Sequence, residues 1–129
     1  MLRERVLVYG TLRRGGSNHL LLEDARQLGT LVTEPLYRML DLGPYPGVVP
    51  GGETPIHGEV YAVTPVEFRR LDALEDYPRS YTRERIATPW GPSWMYLYRP
   101  RGQRWPEVPS GDWFHHVGLQ RVRRGRGAR

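Results

Sequence analysis

At 129 residues and 39% apolar content, the chain has the size for one domain with a real core, and its Gly 15 and Pro 12 favour strands and turns over long helices. It has no Cys, which excludes disulfides, thiolate catalysis and Cys-type zinc sites, and all 19 of its basic residues are Arg, which excludes a catalytic or Schiff-base Lys. The net charge of +5 is carried by the last segment, Arg121-Val122-Arg123-Arg124-Gly125-Arg126-Gly127-Ala128-Arg129, and the rest of the chain is balanced, so only that segment offers nucleic acid a basic surface.

The first element is the strand Val6 to Tyr9, which stops abruptly at Gly10-Thr11. Val and Tyr suit a half-buried pleated surface. Gly10 permits a turn, or a close approach that a Cβ would block. A strand ending this way leaves backbone N–H groups that need water, a side chain or a ligand. Two readings stay open: Gly10 simply ends the strand, or the amides around Gly10, Thr11 and Leu12 hold a small anionic or carbonyl group.

Arg13 to Ser17 is a basic, Gly-rich loop, and Ser17 or Asn18 is placed to cap a short helix through Leu20, Leu21, Leu22 and Ala25. Strands are expected over Leu28–Thr33 and Leu36–Leu42, with a boundary at Glu34-Pro35. Gly43-Pro44-Tyr45-Pro46-Gly47 reads either as a stiff pocket wall or as an ordinary Pro-rich turn. In the strand Ile56–Val63, Gly58 and Val60 fall on one face, and His57, Glu59 and Tyr61 on the other. His57 reads as a strand-surface residue, since nothing near it in sequence pairs with it.

Thr64-Pro65-Val66-Glu67 is a capping box with Pro at the first helical position. The helix that follows is expected to reach about Asp76 and to stop before Pro78. At ~100° per residue, Phe68, Leu71 and Leu74 form an apolar arc about 120° wide. Glu75 falls inside that arc, and Asp72 and Asp76 fall outside it, toward solvent. Burial and the helix C-terminus both disfavour a charged Glu75, which raises its pKa and suits a general acid/base. The alternative is a buried structural ion pair with Arg83 or Arg85.

Tyr81–Thr88 and Ser93–Arg99 read as a hairpin. Trp94, Tyr96 and Tyr98 line one face of its second strand, as a core or barrel wall. Ser110 or Asp112 is placed to cap a short final element. The adjacent His115-His116 do not share a helix face as an i,i+4 metal pair would. No apolar run approaches the roughly 18 residues of a membrane span, and Met1–Arg5 has no signal-peptide core. A cytoplasmic location is expected, compatible with the absence of Cys.

Taken together and in order, Val8-Tyr9-Gly10-Thr11-Leu12-Arg13, Gly58-Glu59-Val60-Tyr61, Leu71-Asp72-Ala73-Leu74-Glu75-Asp76-Tyr77, Tyr81-Thr82-Arg83 and Trp94-Met95-Tyr96-Leu97-Tyr98 resemble the γ-glutamylcyclotransferase-like (AIG2-like) family. Tyr45-Pro46-Gly47-Val48-Val49-Pro50-Gly51 and Ser110-Gly111-Asp112-Trp113 resemble its small bacterial branch. The resemblance implies an α+β fold, a small mixed β-barrel, closed or nearly so, with a few flanking helices. One domain is expected over residues 1–118; the Arg-rich segment at 119–129 lies outside the resemblance and is expected from its composition to be a flexible tail.

The resemblance also implies an activity: cyclisation of a γ-glutamyl amine or peptide to 5-oxoproline with release of the amine, without cofactor or metal. Glu75 takes the catalytic position. The backbone of Tyr9, Gly10, Thr11 and Leu12 binds the γ-glutamyl group, and Tyr81 lines the pocket with Tyr45. The implied partner is a small-molecule γ-glutamyl substrate, with the chain a monomer or homodimer. Some members of the bacterial branch lack the acidic residue; this chain keeps it. Two other functions compete: a barrel that binds such a ligand without turnover, and an RNA-associated protein acting through the Arg tail.

Overall fold

The computed structural model describes residues 3–127, with side chains described through residue 122. Its elements run β1 (Glu4–Val8), a 3-10 turn (His19–Leu22), β2 (Arg26–Val32), β3 (Tyr37–Asp41), β4 (Pro46–Pro50), β5 (His57–Val63), α1 (Pro65–Leu74), β6 (Tyr81–Ile86), β7 (Ser93–Tyr98) and α2 (Trp113–Gly127).

The architecture is α+β. Five strands form one mixed sheet in the order β2-β5-β1-β7-β6, with β1 at its centre. β1 runs antiparallel to β5 and parallel to β7, where Leu7 aligns with Met95. The expected barrel is not closed: β2 and β6 remain edges, and β3 and β4 form a separate two-stranded hairpin. The reason lies in how the two sheet faces are covered. Leu7, Val60, Met95 and Leu97 pack on one side against Met39 and Val48 of the hairpin and Trp113 of α2. Val6, Val8, Tyr61, Val63 and Tyr96 pack on the other against Leu22 and against Leu71 and Phe68 of α1. Alternate residues of β1 and β7 thus feed two separate cores, as period-2 side-chain alternation requires.

Helix α1 starts as expected. Thr64 Oγ1 accepts from the Glu67 amide at 3.2 Å, and Glu67 Oε1 accepts from the Thr64 amide at 2.8 Å. It ends one residue before Glu75, earlier than expected, and Leu74 is 41% exposed instead of completing the apolar arc. The cause is a Schellman ending: the Tyr77 amide donates to Asp72 O at 2.9 Å and the Asp76 amide to Ala73 O at 3.2 Å, with Asp76 at φ 50°. Asp is among the few non-Gly residues that take this left-handed conformation readily.

The final element is longer than expected. Asp112 Oδ1 accepts from the His115 amide at 3.3 Å at the start of α2. The helix then runs on through Gly127, so residues 119–127, expected as a flexible tail, are helical. Asp41 draws α2 onto β3 by accepting from Gln120 Nε2 at 3.0 Å and pairing with His116 Nε2 at 2.9 Å. Residues 128–129 of the expected tail lie outside the described residues.

Candidate active site

A cavity of about 170 Å³ opens where β1 ends. Its lining includes Tyr9, Gly10, Thr11, Leu12, Tyr45, Glu75 and Tyr81, so all seven expected site residues meet there. Four elements bring them together. The central strand and the loop after it deliver Tyr9 to Leu12, the β3–β4 hairpin delivers Tyr45, the end of α1 delivers Glu75, and the start of β6 delivers Tyr81.

The loop after β1 is a tight turn. The Arg13 amide donates to Gly10 O at 3.1 Å, which makes Thr11 and Leu12 the two central residues. Among the described residues, no acceptor in the chain takes the N–H groups of Gly10, Thr11 or Leu12. The turn is held in place by the Asn18 amide, which donates to Thr11 O at 2.9 Å, and by Asn18 Nδ2, which donates to Thr11 Oγ1 at 2.9 Å. Asn18 thus braces the turn and does not cap the 3-10 turn with its side chain. Gly10 is required by a close approach: a Cβ there would lie 2.8 Å from Pro46 Cδ.

Glu75 occupies the C-cap position of α1 and lines the same cavity. Burial pushes its carboxyl from 4.5 up to about 7. Among the described residues the Glu75 carboxylate has no hydrogen bond or ion pair, while its backbone amide donates to Leu71 O at 3.0 Å. The expected alternative partners are engaged elsewhere. Arg83 binds Asp72 through Nε–Oδ1 at 3.0 Å and Nη2–Oδ2 at 3.2 Å, and Arg85 lies 3.9 Å from Glu4 Oε2. Asp72, expected to face solvent, is instead half-buried. It also accepts from Tyr96 OH at 2.7 Å. Arg83 draws it inward, because the guanidinium is stacked near the rings of Phe68, Tyr77 and Trp94 at 4.4–4.6 Å.

Three tyrosines complete the wall, and each hydroxyl donates to the protein. Tyr9 donates to Tyr96 O at 2.7 Å, Tyr81 to Pro46 O at 2.8 Å, and Tyr96 to Asp72 Oδ1. Burial raises the pKa of all three, with the Glu75 charge adding to the effect at each. They are therefore neutral at any physiological pH and have spent their only proton. Among the described residues, the turn's backbone N–H groups and the Thr11 and Tyr45 hydroxyls are left to donate to a ligand.

Pro46 lines the cavity beside Tyr45, in keeping with the pocket-wall reading of that loop, and Asn18, Leu74, Asp76, Ser80 and Tyr96 line it although sequence does not single them out as site residues. Tyr96 was visible in sequence only as part of an aromatic face. Asp76 carried a signal, an acidic residue just past a helix end before an X-Pro pair. Away from the site, His57 does find a neighbour: its Nδ1 lies 3.9 Å from Asp112 Oδ2. Among the described residues no cluster of His, Cys, Asp or Glu is arranged to hold a metal ion, and no helix is long and apolar enough to cross a membrane.

Comparison with known proteins places this geometry in a family. The family model for gamma-glutamyl cyclotransferase, AIG2-like, matches residues 6–115. A Vibrio cholerae protein is 46% identical over 112 residues, covering 87% of this chain and 96% of its own length. The gamma-glutamylcyclotransferase family protein YtfP of Escherichia coli is 39% identical over 109 residues, covering 84% and 95%. Among solved structures, the uncharacterized protein PH0828 of Pyrococcus horikoshii superposes with a TM-score of 0.76 at 30% identity, covering 93% of this chain and 97% of its own. The chain belongs to the γ-glutamyl cyclotransferase, AIG2-like family.

Proposed function

We propose that the protein is a γ-glutamylcyclotransferase that converts a γ-glutamyl amine or peptide to 5-oxoproline and the free amine. The observation that carries this reading is that a desolvated carboxylate with no cationic partner shares a cavity with unpaired backbone donors. The two are the parts such a cyclisation needs.

The α-amine of the substrate arrives as an ammonium and cannot attack until it loses a proton. Glu75, with a pKa of about 7, takes that proton at neutral pH. The amine nitrogen then bonds to the γ-carbonyl carbon, and the carbonyl oxygen gains negative charge. The Thr11 and Leu12 amides stabilise that charge; a single preorganised donor is worth roughly 3 kcal/mol. As the carbon–nitrogen bond to the leaving amine breaks, protonated Glu75 returns its proton to that nitrogen. The ring nitrogen then gives up its second proton, relayed through Glu75 to the departing nitrogen, so the products are the neutral five-membered lactam and an ammonium: two protons leave the α-nitrogen, two reach the leaving nitrogen, and no further reactant is needed.

Holding the two ends of the substrate together supplies much of the remaining acceleration. The neutral phenols of Tyr9, Tyr81 and Tyr96 serve as rigid walls and as acceptors for an ammonium N–H. The test is a screen of γ-glutamyl amines, γ-glutamyl dipeptides and glutathione for 5-oxoproline. Release from at least one is expected. A γ-glutamyl compound that raises Tm and is never consumed would instead identify a binding protein.

A further inference from the structure

The turn that carries the Thr11 and Leu12 amides is gripped from behind by a buried ion network. Glu59 lies on β5 and is 6% exposed. Its Oε1 accepts from the Arg14 amide at 2.8 Å and from Tyr61 OH at 2.9 Å. Its Oε2 accepts from Arg13 Nε at 3.2 Å. Arg13 also donates from Nη1 to Asp112 Oδ1 at 3.0 Å, and its guanidinium lies 4.5 Å from the centre of the Phe114 ring. One side chain therefore joins the end of the turn to β5 and to the first turn of α2.

Burying this pair is hard to explain by stability alone. Taking two charges out of water offsets most of their attraction, and apolar replacements of such pairs are commonly neutral or stabilising. What the network does supply is direction. Arg13 closes the turn through its own amide to Gly10 O, so fixing the Arg13 side chain and the Arg14 amide fixes the plane of the peptides between. Those peptides carry the unpaired N–H groups of Thr11 and Leu12, two residues that line the cavity.

We infer that Glu59 and Arg13 are positioning residues for the reaction: they aim the Thr11 and Leu12 amides and do not touch the substrate. The inference rests on the cyclotransferase reading and adds to it two residues outside the cavity wall. A misplacement of about 1 Å in such donors costs on the order of a hundredfold in rate.

The experiment compares wild type with Glu59→Gln, Arg13→Lys, Arg13→Ala and the double variant Arg13→Ala/Glu59→Gln. It uses steady-state release of 5-oxoproline across pH and hydrogen exchange of the Thr11 and Leu12 amides. Tyr61→Phe, which removes one donor to Glu59 and keeps the ring, serves as a milder second probe should the charge variants not fold. Expected is a loss of about tenfold or more in kcat with KM little changed. The acid limb should stay near pH 7, since Glu75 is untouched. Exchange at the two amides should be faster, and the double variant no worse than the worse single one.

Unchanged kcat in folded Glu59→Gln overturns the inference and leaves the cyclotransferase reading standing. So does a displaced acid limb, or strictly additive losses. A wild type that releases no 5-oxoproline from any γ-glutamyl compound overturns both.

Discussion

Asp72 holds Arg83 with both carboxylate oxygens, and this leaves Glu75, three residues further along, without a cation. Asp72 also receives the Tyr96 hydroxyl, so one half-buried carboxylate satisfies an arginine and a cavity tyrosine together. Asp72→Ala should destabilise the fold by about 2 kcal/mol, since it strands a charge that is only partly open to solvent. Arg83→Lys should recover little, because an ammonium cannot match the bidentate and stacked geometry. Urea midpoints of the two variants check this; a shift in neither would mean the pair contributes nothing.

Glu75 trades stability for chemistry. Its pKa is raised from 4.5 to about 7 by burial, so the folded state binds a proton that the unfolded state has already released. The sign follows: the penalty is absent below pH 4.5, grows through the window from 4.5 to 7, and is complete above it. Its size is on the order of 3 kcal/mol. Glu75→Gln should therefore be more stable than wild type at pH 8 and equal to it at pH 4. Denaturation at both values decides it, and a variant less stable at pH 8 would contradict the assignment.

The same titration governs rate. As a base, Glu75 must be ionised in the free enzyme, so kcat/KM should climb through about pH 7 with a single-proton slope and then level. An acid limb near pH 4.5 would indicate an ordinary exposed carboxylate.

Gly10 and Thr11 should respond in opposite ways. Gly10→Val places atoms into the Pro46 ring, where even a Cβ stands 2.8 Å from Cδ, and should remove activity while costing about 1–3 kcal/mol. Thr11→Ser keeps the hydroxyl that receives Asn18 Nδ2 and the unpaired backbone amide, so its activity should stay within about threefold of wild type. Tm and initial rates on the two variants test this contrast.

Asp76 fixes where α1 stops and hence where Glu75 sits. Asp76→Val forces a β-branched residue to φ 50° and should cost about 2 kcal/mol, whereas Asp76→Gly keeps the backbone and loses only side-chain bonds such as that from Ser80 Oγ at 2.8 Å. Activity should survive better in the Gly variant. Equal losses in both would remove backbone strain from the explanation.

Much of this was legible in sequence because it is local. The capping box at Thr64–Glu67 and the alternation along β7 follow from spacing alone. The position of Glu75 near a core was legible from helical periodicity, although the helix ends sooner and Leu74 turns outward. The Schellman ending depends on Asp76 adopting a left-handed backbone, which a run of good helix formers does not announce. Asp72 departs from the solvent-facing position that helical periodicity predicts because its partner, Arg83, lies on another element and carries its own ring of aromatics. The bracing of the turn by Glu59 was hidden for the same reason: Arg13 and Glu59 are 46 residues apart in sequence. The open sheet likewise depends on two separate faces finding cover, which pairing patterns within one strand do not reveal.

The most direct measurement is 5-oxoproline release by wild type and by Glu75→Gln, on the best γ-glutamyl compound from the screen, with circular dichroism and Tm recorded on the same samples. The account predicts a folded Glu75→Gln variant, at least as stable as wild type at pH 8, with turnover reduced by about a thousandfold or more. A folded variant that turns over at the wild-type rate would contradict it.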